Sequence, residues 1–261
     1  MSNIKNSLDL CLVQANQVWE DKESNLDHYE NLLRDVKDVD LLVLPEMFHT
    51  GFSMKSAELS EPMESSAGLA WLHDLARSKK SAVYTSLIVK SKGHYFNRGV
   101  FVSPDGLLGF YDKRKSFCLA GEDKHYSAGS KETIAKYLGW NIQLQICYDL
   151  RFPEISRNKI TTEGRPAYDL LVYVANWPER RRSHWQALLR ARAIENQSYV
   201  VGVNRVGIDG AGLSYSGDSV CIDPLGEETG CGVGKETVKV ISIEYSRLLE
   251  IREALPFLKD Q

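Results

Sequence analysis

The chain reads as an α/β protein, and three features of its 261 residues carry that reading. Short apolar runs alternate with segments of helical periodicity along the whole length. Two antiparallel hairpins interrupt the alternation, which argues against a purely parallel Rossmann sheet and against a regular eightfold barrel. Composition stays even throughout, with no linker, no repeat of fixed period and no low-complexity tract. Residues 1–261 are therefore expected to form a single domain, with helices covering a sheet or sheets.

Each element follows from its own pattern. Leu8–Ala15 (LDLCLVQA) is a continuous apolar run, the signature of a buried strand. Lys22–Val36 sets Leu26, Tyr29, Leu32, Leu33 and Val36 at helical spacing, and Asp40–Pro45 (DLLVLP) is a second buried strand that stops at its proline. Gly68–Lys80 is helical again through Leu69, Leu72, Leu75 and Ala76. Ala82–Lys90, Tyr95–Ser103 and Leu107–Asp112 read as successive strands, and Ser103-Pro-Asp-Gly106 supplies a hairpin turn between the last two. In the second half Ile142–Cys147 and Asp169–Ala175 are strands, with a short helix expected over Pro153–Thr161. Arg180–Asn196 repeats Trp185, Leu188, Leu189 and Arg192–Ala193 at three-to-four spacing, which predicts a longer helix. Tyr199–Asn204, Tyr215–Ile222 and Val238–Ile243 are the last strands, with a turn at Asp223–Gly226 and a helical tail near Ser246–Glu253.

Composition narrows the function. Hydrophobic residues make up 43% and charged residues 26%, values of a folded globular protein rather than a disordered or fibrous one. The net charge of −3, from 32 basic and 35 acidic residues, gives no reason to expect a nucleic-acid partner. No apolar run approaches the ~20 residues that span a bilayer, so no membrane partner is expected. Met1–Asn6 is polar and shows no secretory signal. Cysteines at 11, 118, 147, 221 and 231 are odd in number and sparse, which argues against a disulfide framework and for a reducing cytoplasm.

Among these cysteines, Cys147 has the most suggestive surroundings, LQI-Cys147-Tyr-Asp-Leu-Arg-Phe-Pro-Glu154. A buried strand ends at the thiol, Asp149 suits an N-cap and Pro153 suits a first helical turn. A thiol facing a helix N-terminus is expected to have a lowered pKa. The ordinary alternative is a small core residue. Cys11 and Cys221 sit inside apolar strands, Cys231 lies in a Gly-rich turn expected to be exposed, and Cys118 follows a basic stretch with no helix start after it. Neither C-x-x-C nor H-E-x-x-H spacing occurs, so a zinc site is not expected. None of His28, His49, His73, His94, His125 and His184 has a context that singles it out as a base for the thiol. Glu46 directly follows the buried run LLVLP, where the alternative is a loop acid, and Lys113 closes LLGFYD, where the alternative is a solvated charge.

Read together, Glu46, Lys113 and Cys147 each close a strand, in that order. This resembles the nitrilase superfamily, the carbon–nitrogen hydrolases with a Glu-Lys-Cys triad. The matching stretches cover essentially the whole chain: LPEMF (44–48), YDKRKSF (111–117), GEDKHYSAG (121–129), ICYDLRFPE (146–154), ANWPERR (175–181), ARAIENQSYVVGVNRVG (191–207) and DPLGE (223–227). Several of them look most like the omega-amidase branch, which includes bacterial 2-oxoglutaramate amidase-like members. The resemblance implies a four-layer α-β-β-α sandwich with mixed sheets, a homodimer, and an amidase that needs no cofactor. Its small-molecule amide substrate would be the omega-amide of a short 2-oxo dicarboxylic acid. The alternatives are hydrolysis of another C–N bond (an N-carbamoyl compound, a nitrile or a peptide-like amide) or a catalytically silent binding protein on the same fold.

Carried over by resemblance, Cys147 is the nucleophile, Glu46 the general base and Lys113 the group that stabilises the tetrahedral intermediate. Glu122 matches a further acid near the triad. One departure is Lys115-Ser116-Phe117, where many relatives have His-Leu-Phe after the lysine; it touches the expected pocket wall. Beside the triad, Tyr148, Phe117 and Trp177 are expected to line the pocket, with packing as the alternative for each. Arg180-Arg181-Arg182 opposes the dipole of the helix it begins, so one of the three, Arg181 by preference, is expected to meet a carboxylate of the substrate or of another chain. Lys115 and Arg205 are next in line for that role, and Arg151 and Glu154 are expected to pair with each other. Gly230–Lys235 lacks the spacing of a phosphate loop and reads as a turn.

Overall fold

Leu8, Leu10 and Leu12 project from one face of the first strand and Cys11 and Val13 from the other, and all five are fully buried. That strand therefore lies in the middle of layers, which is why its sequence is continuously apolar. A computed structural model of the chain describes residues 4–260, so Met1–Asn3, half of the polar N-terminal stretch, lie outside the described residues.

The first half contains β1 (Ser7–Gln14), α1 (Lys22–Leu32), β2 (Leu41–Val43), α2 (Ser56–Leu59), β3 (Glu61–Pro62), α3 (Ala67–Lys79), β4 (Ala82–Ser91), β5 (His94–Ser103) and β6 (Gly106–Asp112). The second contains β7 (Ile134–Tyr137), β8 (Trp140–Ile146), β9 (Leu170–Ala175), α4 (Arg182–Asn196), β10 (Tyr199–Asn204), β11 (Val206–Ile208), β12 (Ser214–Ser216), β13 (Val220–Ile222), β14 (Glu228–Gly230), β15 (Thr237–Glu244) and α5 (Tyr245–Ala254). One sheet runs β15-β1-β2-β4-β5-β6, with β3 beside β4, and the other runs β14-β13-β10-β9-β8-β7. Both are mixed. Their centres are parallel (β1/β2/β4 and β8/β9/β10) and their flanks antiparallel.

Leu8, Leu10 and Tyr84 of the first sheet share a core with Ile142, Leu144 and Ile146 of the second. Tyr29, Leu33, Leu72 and Ala76 of the first two long helical segments cover the outer face of the first sheet. Trp185, Leu189 and Ala193 of α4 cover the second. Gly202 on β10 lets α4 approach, since a Cβ there would stand 2.4 Å from Leu189 Cδ1. The layers are α-β-β-α, the sandwich that the resemblance implies. Among the described residues no helix is long and apolar enough to cross a membrane.

Two expected elements differ. Pro153–Thr161 is not a helix: 3₁₀ turns form at Cys147–Arg151 and Pro153–Ile155, and the chain then becomes irregular. The Asn158 side chain donates to Tyr168 O and Asn196 O, tying that segment to its neighbours instead of to its own backbone. Tyr215–Ile222 breaks into β12 and β13 because Gly217 and Asp218 both take positive φ, +75° and +57°. The edge strands β7, β11 and β14 were not anticipated; each is short and partly exposed.

Candidate active site

The ends of β2, β6, β8 and β9 converge and bring together residues far apart in the chain. Glu46 follows β2, Lys113 follows β6, Cys147 follows β8 and Asn176 follows β9. The Lys113 ammonium donates to Glu46 Oε1 at 3.0 Å and to Glu122 Oε1 and Oε2 at 2.9 and 3.0 Å. All three side chains are buried, with Glu46 fully so. The other Glu46 oxygen accepts the Asn176 N–H at 2.8 Å, and Asn97 Nδ2 donates to Oε1 at 2.7 Å. Glu122 also accepts the Phe117 N–H at 2.6 Å. Asn97 and Asn176 went unnoticed in the sequence, because nothing local marks a residue whose partner lies 51 or 130 positions away.

Cys147 has φ +46°, a left-handed conformation that costs a non-glycine residue of order 1–3 kcal/mol. Its Sγ lies 3.9 Å from the Asn176 carbonyl oxygen. Here the expected helix start is corrected. A 3₁₀ turn follows the thiol, and Asp149 is no N-cap but lies within that turn, its carboxylate accepting the Ile146 N–H. The expected fall in thiol pKa is corrected as well. Burial, and then the Glu46 charge, push the thiol well above its ordinary value, outweighing the opposing pull of Lys113. Burial would lower the Lys113 ammonium, but Glu122 and Glu46 overcome it and hold the lysine well above its ordinary value, so it stays charged.

A cavity of about 490 Å³ opens from this cluster, and Lys113, Cys147 and Asn176 are part of its wall. Tyr148, Phe117, Trp177 and Arg181 all line it as well, joined by Arg151 and Arg180. The Arg181 guanidinium stands 5.0 Å over the Phe117 ring, and Arg151 stands 4.7 Å over Trp177. Burial and the neighbouring Arg180 lower the Arg181 pKa from its ordinary value. Among the described residues none of Arg151, Arg180 and Arg181 forms an ion pair, whereas Arg182 is held by Asp218 at 2.8 Å within this same chain. The expected Arg151–Glu154 pair does not form: Lys115 takes Glu154 at 3.4 Å, which also turns it from the cavity. Arg205 is fully buried and donates to backbone oxygens of Gln17 and Val206. Cys118 is exposed, and Cys231, expected in an exposed turn, is half-buried against the core. Among the described residues no group of three or more His, Cys, Asp or Glu is arranged to hold a metal ion.

The likeness to known proteins runs the length of the chain. Omega-amidase YafV of Yersinia enterocolitica is 42% identical over 97% of this chain and 96% of its own. The 2-oxoglutaramate amidase of Bacillus subtilis (strain 168) is 32% identical over 87% of this chain and 86% of its own. XC1258 of Xanthomonas campestris, a CN-hydrolase superfamily protein solved with an arsenic adduct in its active site, is 39% identical and superposes with a TM-score of 0.95 over 98% of each chain. The carbon-nitrogen hydrolase family model spans residues 10–252, which takes in every residue of the buried cluster and of the cavity wall. The chain belongs to the carbon–nitrogen hydrolase family.

Proposed function

We propose that the protein is an omega-amidase that hydrolyses short 2-oxo dicarboxylic acid monoamides such as 2-oxoglutaramate, through an acyl-enzyme on Cys147. The observation that carries this reading is the cavity itself. Its wall joins Lys113, held from behind by the buried Glu46 and Glu122, and Cys147 with three arginines that have no carboxylate partner among the described residues. An amide at Cys147 with a carboxylate at its far end satisfies both ends. The names of the similar proteins from Yersinia enterocolitica and Bacillus subtilis agree with this substrate class.

The charges set the order of events. Burial, with the Glu46 charge behind it, outweighs the pull of Lys113 and keeps the thiol protonated, so it is deprotonated only as it attacks. Glu46 takes the thiol proton while sulfur bonds to the amide carbon. The resulting oxyanion is met by the Lys113 ammonium and the Tyr148 N–H, which lies in the opening turn after Cys147, where backbone donors have no intrahelical acceptor. Glu46 then protonates the amide nitrogen, the C–N bond breaks and ammonia leaves. Water, deprotonated by the same carboxylate, attacks the thioester and returns the free thiol. Glu122 fixes the Lys113 ammonium against Glu46.

The same reading takes the chain as a single cytoplasmic domain that pairs into a homodimer. Exposed Ile194 on α4 and exposed Leu225 supply apolar surface for such pairing. The test of function is ammonia release over a panel of amides, nitriles and N-carbamoyl compounds. 2-Oxoglutaramate should exceed its methyl ester in kcat/KM by about ten- to a hundredfold, matching the ~1.5–3 kcal/mol of a hydrogen bond to a charged group. Arg151→Ala, Arg180→Ala or Arg181→Ala should remove that preference; Arg151 and Arg181 are the two that stand over aromatic rings of the wall. Equal rates for acid and ester on the unaltered enzyme would reject carboxylate recognition.

A further inference from the structure

Asp149 is fully buried and has no ion-pair partner among the described residues, yet the catalytic steps above make no use of it. Its carboxylate accepts three hydrogen bonds. Oδ1 takes the Lys115 N–H at 2.9 Å. Oδ2 takes the Tyr111 hydroxyl at 2.9 Å and the Ile146 N–H at 3.1 Å. Tyr111 and Lys115 bracket Lys113 along the chain, and Ile146 and Asp149 itself bracket Cys147. The first pair belongs to the end of β6 in one sheet and the second to the end of β8 in the other.

The geometry points to Asp149 as a positioning residue, a clamp that fixes the segment bearing Lys113 against the turn bearing Cys147. The inference rests on the reading of those two residues as oxyanion donor and nucleophile. A shift of about 1 Å between such groups lowers rate far more than binding, since only the transition state needs both at once. The Lys115 and Ile146 N–H groups can only donate, and a backbone donor binds an ionised carboxylate about twice as strongly as a neutral carboxyl. A protonated Asp149 keeps Tyr111 only by donating to its oxygen, the tyrosine hydrogen then turning to Gln145 Oε1 at 3.3 Å, and both backbone bonds of the clamp weaken.

The titratable groups facing it are Tyr111 and Lys113 on and after β6, Tyr84 on β4 and Tyr173 on β9, with Arg114 beside Tyr111. Burial pushes the Asp149 carboxyl up to about 7, against the opposing pull of Lys113 and of the three donors. The ionised clamp is thus present above about pH 7 and is lost as pH falls, which places an acid limb on kcat.

The experiment compares wild type, Asp149→Asn and Tyr111→Phe in 2-oxoglutaramate turnover between pH 5.5 and 9, with a thermal melt for each. A second readout is the rate of Cys147 alkylation by chloroacetamide, resolved from the exposed Cys118 by peptide mass. In Asp149→Asn, kcat should fall by about ten- to a hundredfold with KM changed less than about threefold, and the acid limb should disappear. In Tyr111→Phe both backbone bonds remain, so the fold is kept. The loss of a donor that favours the charged form should move the acid limb to higher pH. Folded variants that keep wild-type kcat and an unmoved acid limb, or that change KM alone, overturn the inference. If Asp149→Asn does not fold, Tyr111→Phe decides by the same criteria. If wild type releases no ammonia, the proposed substrate fails while the alkylation rates still judge the clamp: equal rates for wild type and Tyr111→Phe at every pH overturn it.

Discussion

Burial, and after it the carboxylates that face the single Lys113 ammonium, decide how Cys147 can react. Burial and then the Glu46 charge outweigh the lysine and keep the thiol protonated at rest. Proton transfer to Glu46 therefore belongs to the attack itself. Glu46→Gln, which keeps the shape and removes the base, should depress acylation as well as deacylation by at least about a hundredfold, the lower part of the range for general acid–base catalysis. Single-turnover ammonia release measures the first step, and acylation at the wild-type rate would move the base elsewhere. Glu46, Lys113 and Cys147 were legible in the sequence because each closes a strand within a recognisable stretch, and Glu122 through its stretch GEDKHYSAG alone. The asparagines that orient Glu46 were not, since their part depends on which strand ends meet, and that is decided by sheet order. The thiol's raised pKa was misread for a related reason: a helix start was inferred from Asp149 and Pro153, whereas the carboxylate turned inward.

At the scale of elements, the central strands were legible because both of their faces are buried, which leaves continuous apolar runs such as LDLCLVQA. Short, partly exposed edge strands carry no such mark, and β7, β11 and β14 escaped notice, whereas the longer edge strands β6 and β15 were read. The helices show how much depends on side chains at their ends. Ser66 caps α3 by accepting the Leu69 N–H, and Glu61 accepts Ser66 Oγ at 2.6 Å, the Gly68 N–H at 3.1 Å and Lys22 Nζ at 2.6 Å. Glu61 so joins α1 to the start of α3. Burial opposes its charge, but His49, Lys22, Ser66 and the Gly68 N–H outweigh that and hold its carboxyl well below the usual carboxylate range. A depressed carboxyl stabilises the fold above its unfolded pKa and loses that contribution as pH falls. Glu61→Gln should lower stability by about 1–3 kcal/mol at pH 7, measured by urea unfolding. The gap to wild type should narrow progressively below about pH 4. A gap that stays constant with pH would assign the loss to packing.

For the whole molecule, the two sheets meet face to face, and the site forms only where they meet. Glu46 and Lys113 come from one sheet, Cys147 and Asn176 from the other, and the Glu46–Asn176 bonds tie the halves together. Activity and global fold should consequently be lost in one transition on heating. The α-β-β-α layering leaves the outer face of α4 open beside Leu225, where the proposed pairing of two chains would lie. Sedimentation equilibrium should return twice the 29.5 kDa chain mass. Ile194→Asp combined with Leu225→Asp should return a single chain; a monomeric wild type at micromolar concentration would remove the dimer from the account.

The claim on which the rest depends is that Cys147 carries the acyl group. The most direct measurement is a rapid acid quench of the unaltered enzyme during the ammonia burst with 2-oxoglutaramate, followed by intact mass and peptide mapping. A thioester of the 2-oxo diacid should appear on the peptide containing Cys147, with Cys118 unmodified. An adduct on Cys118, or a full burst of ammonia from protein that stays unmodified, would contradict it.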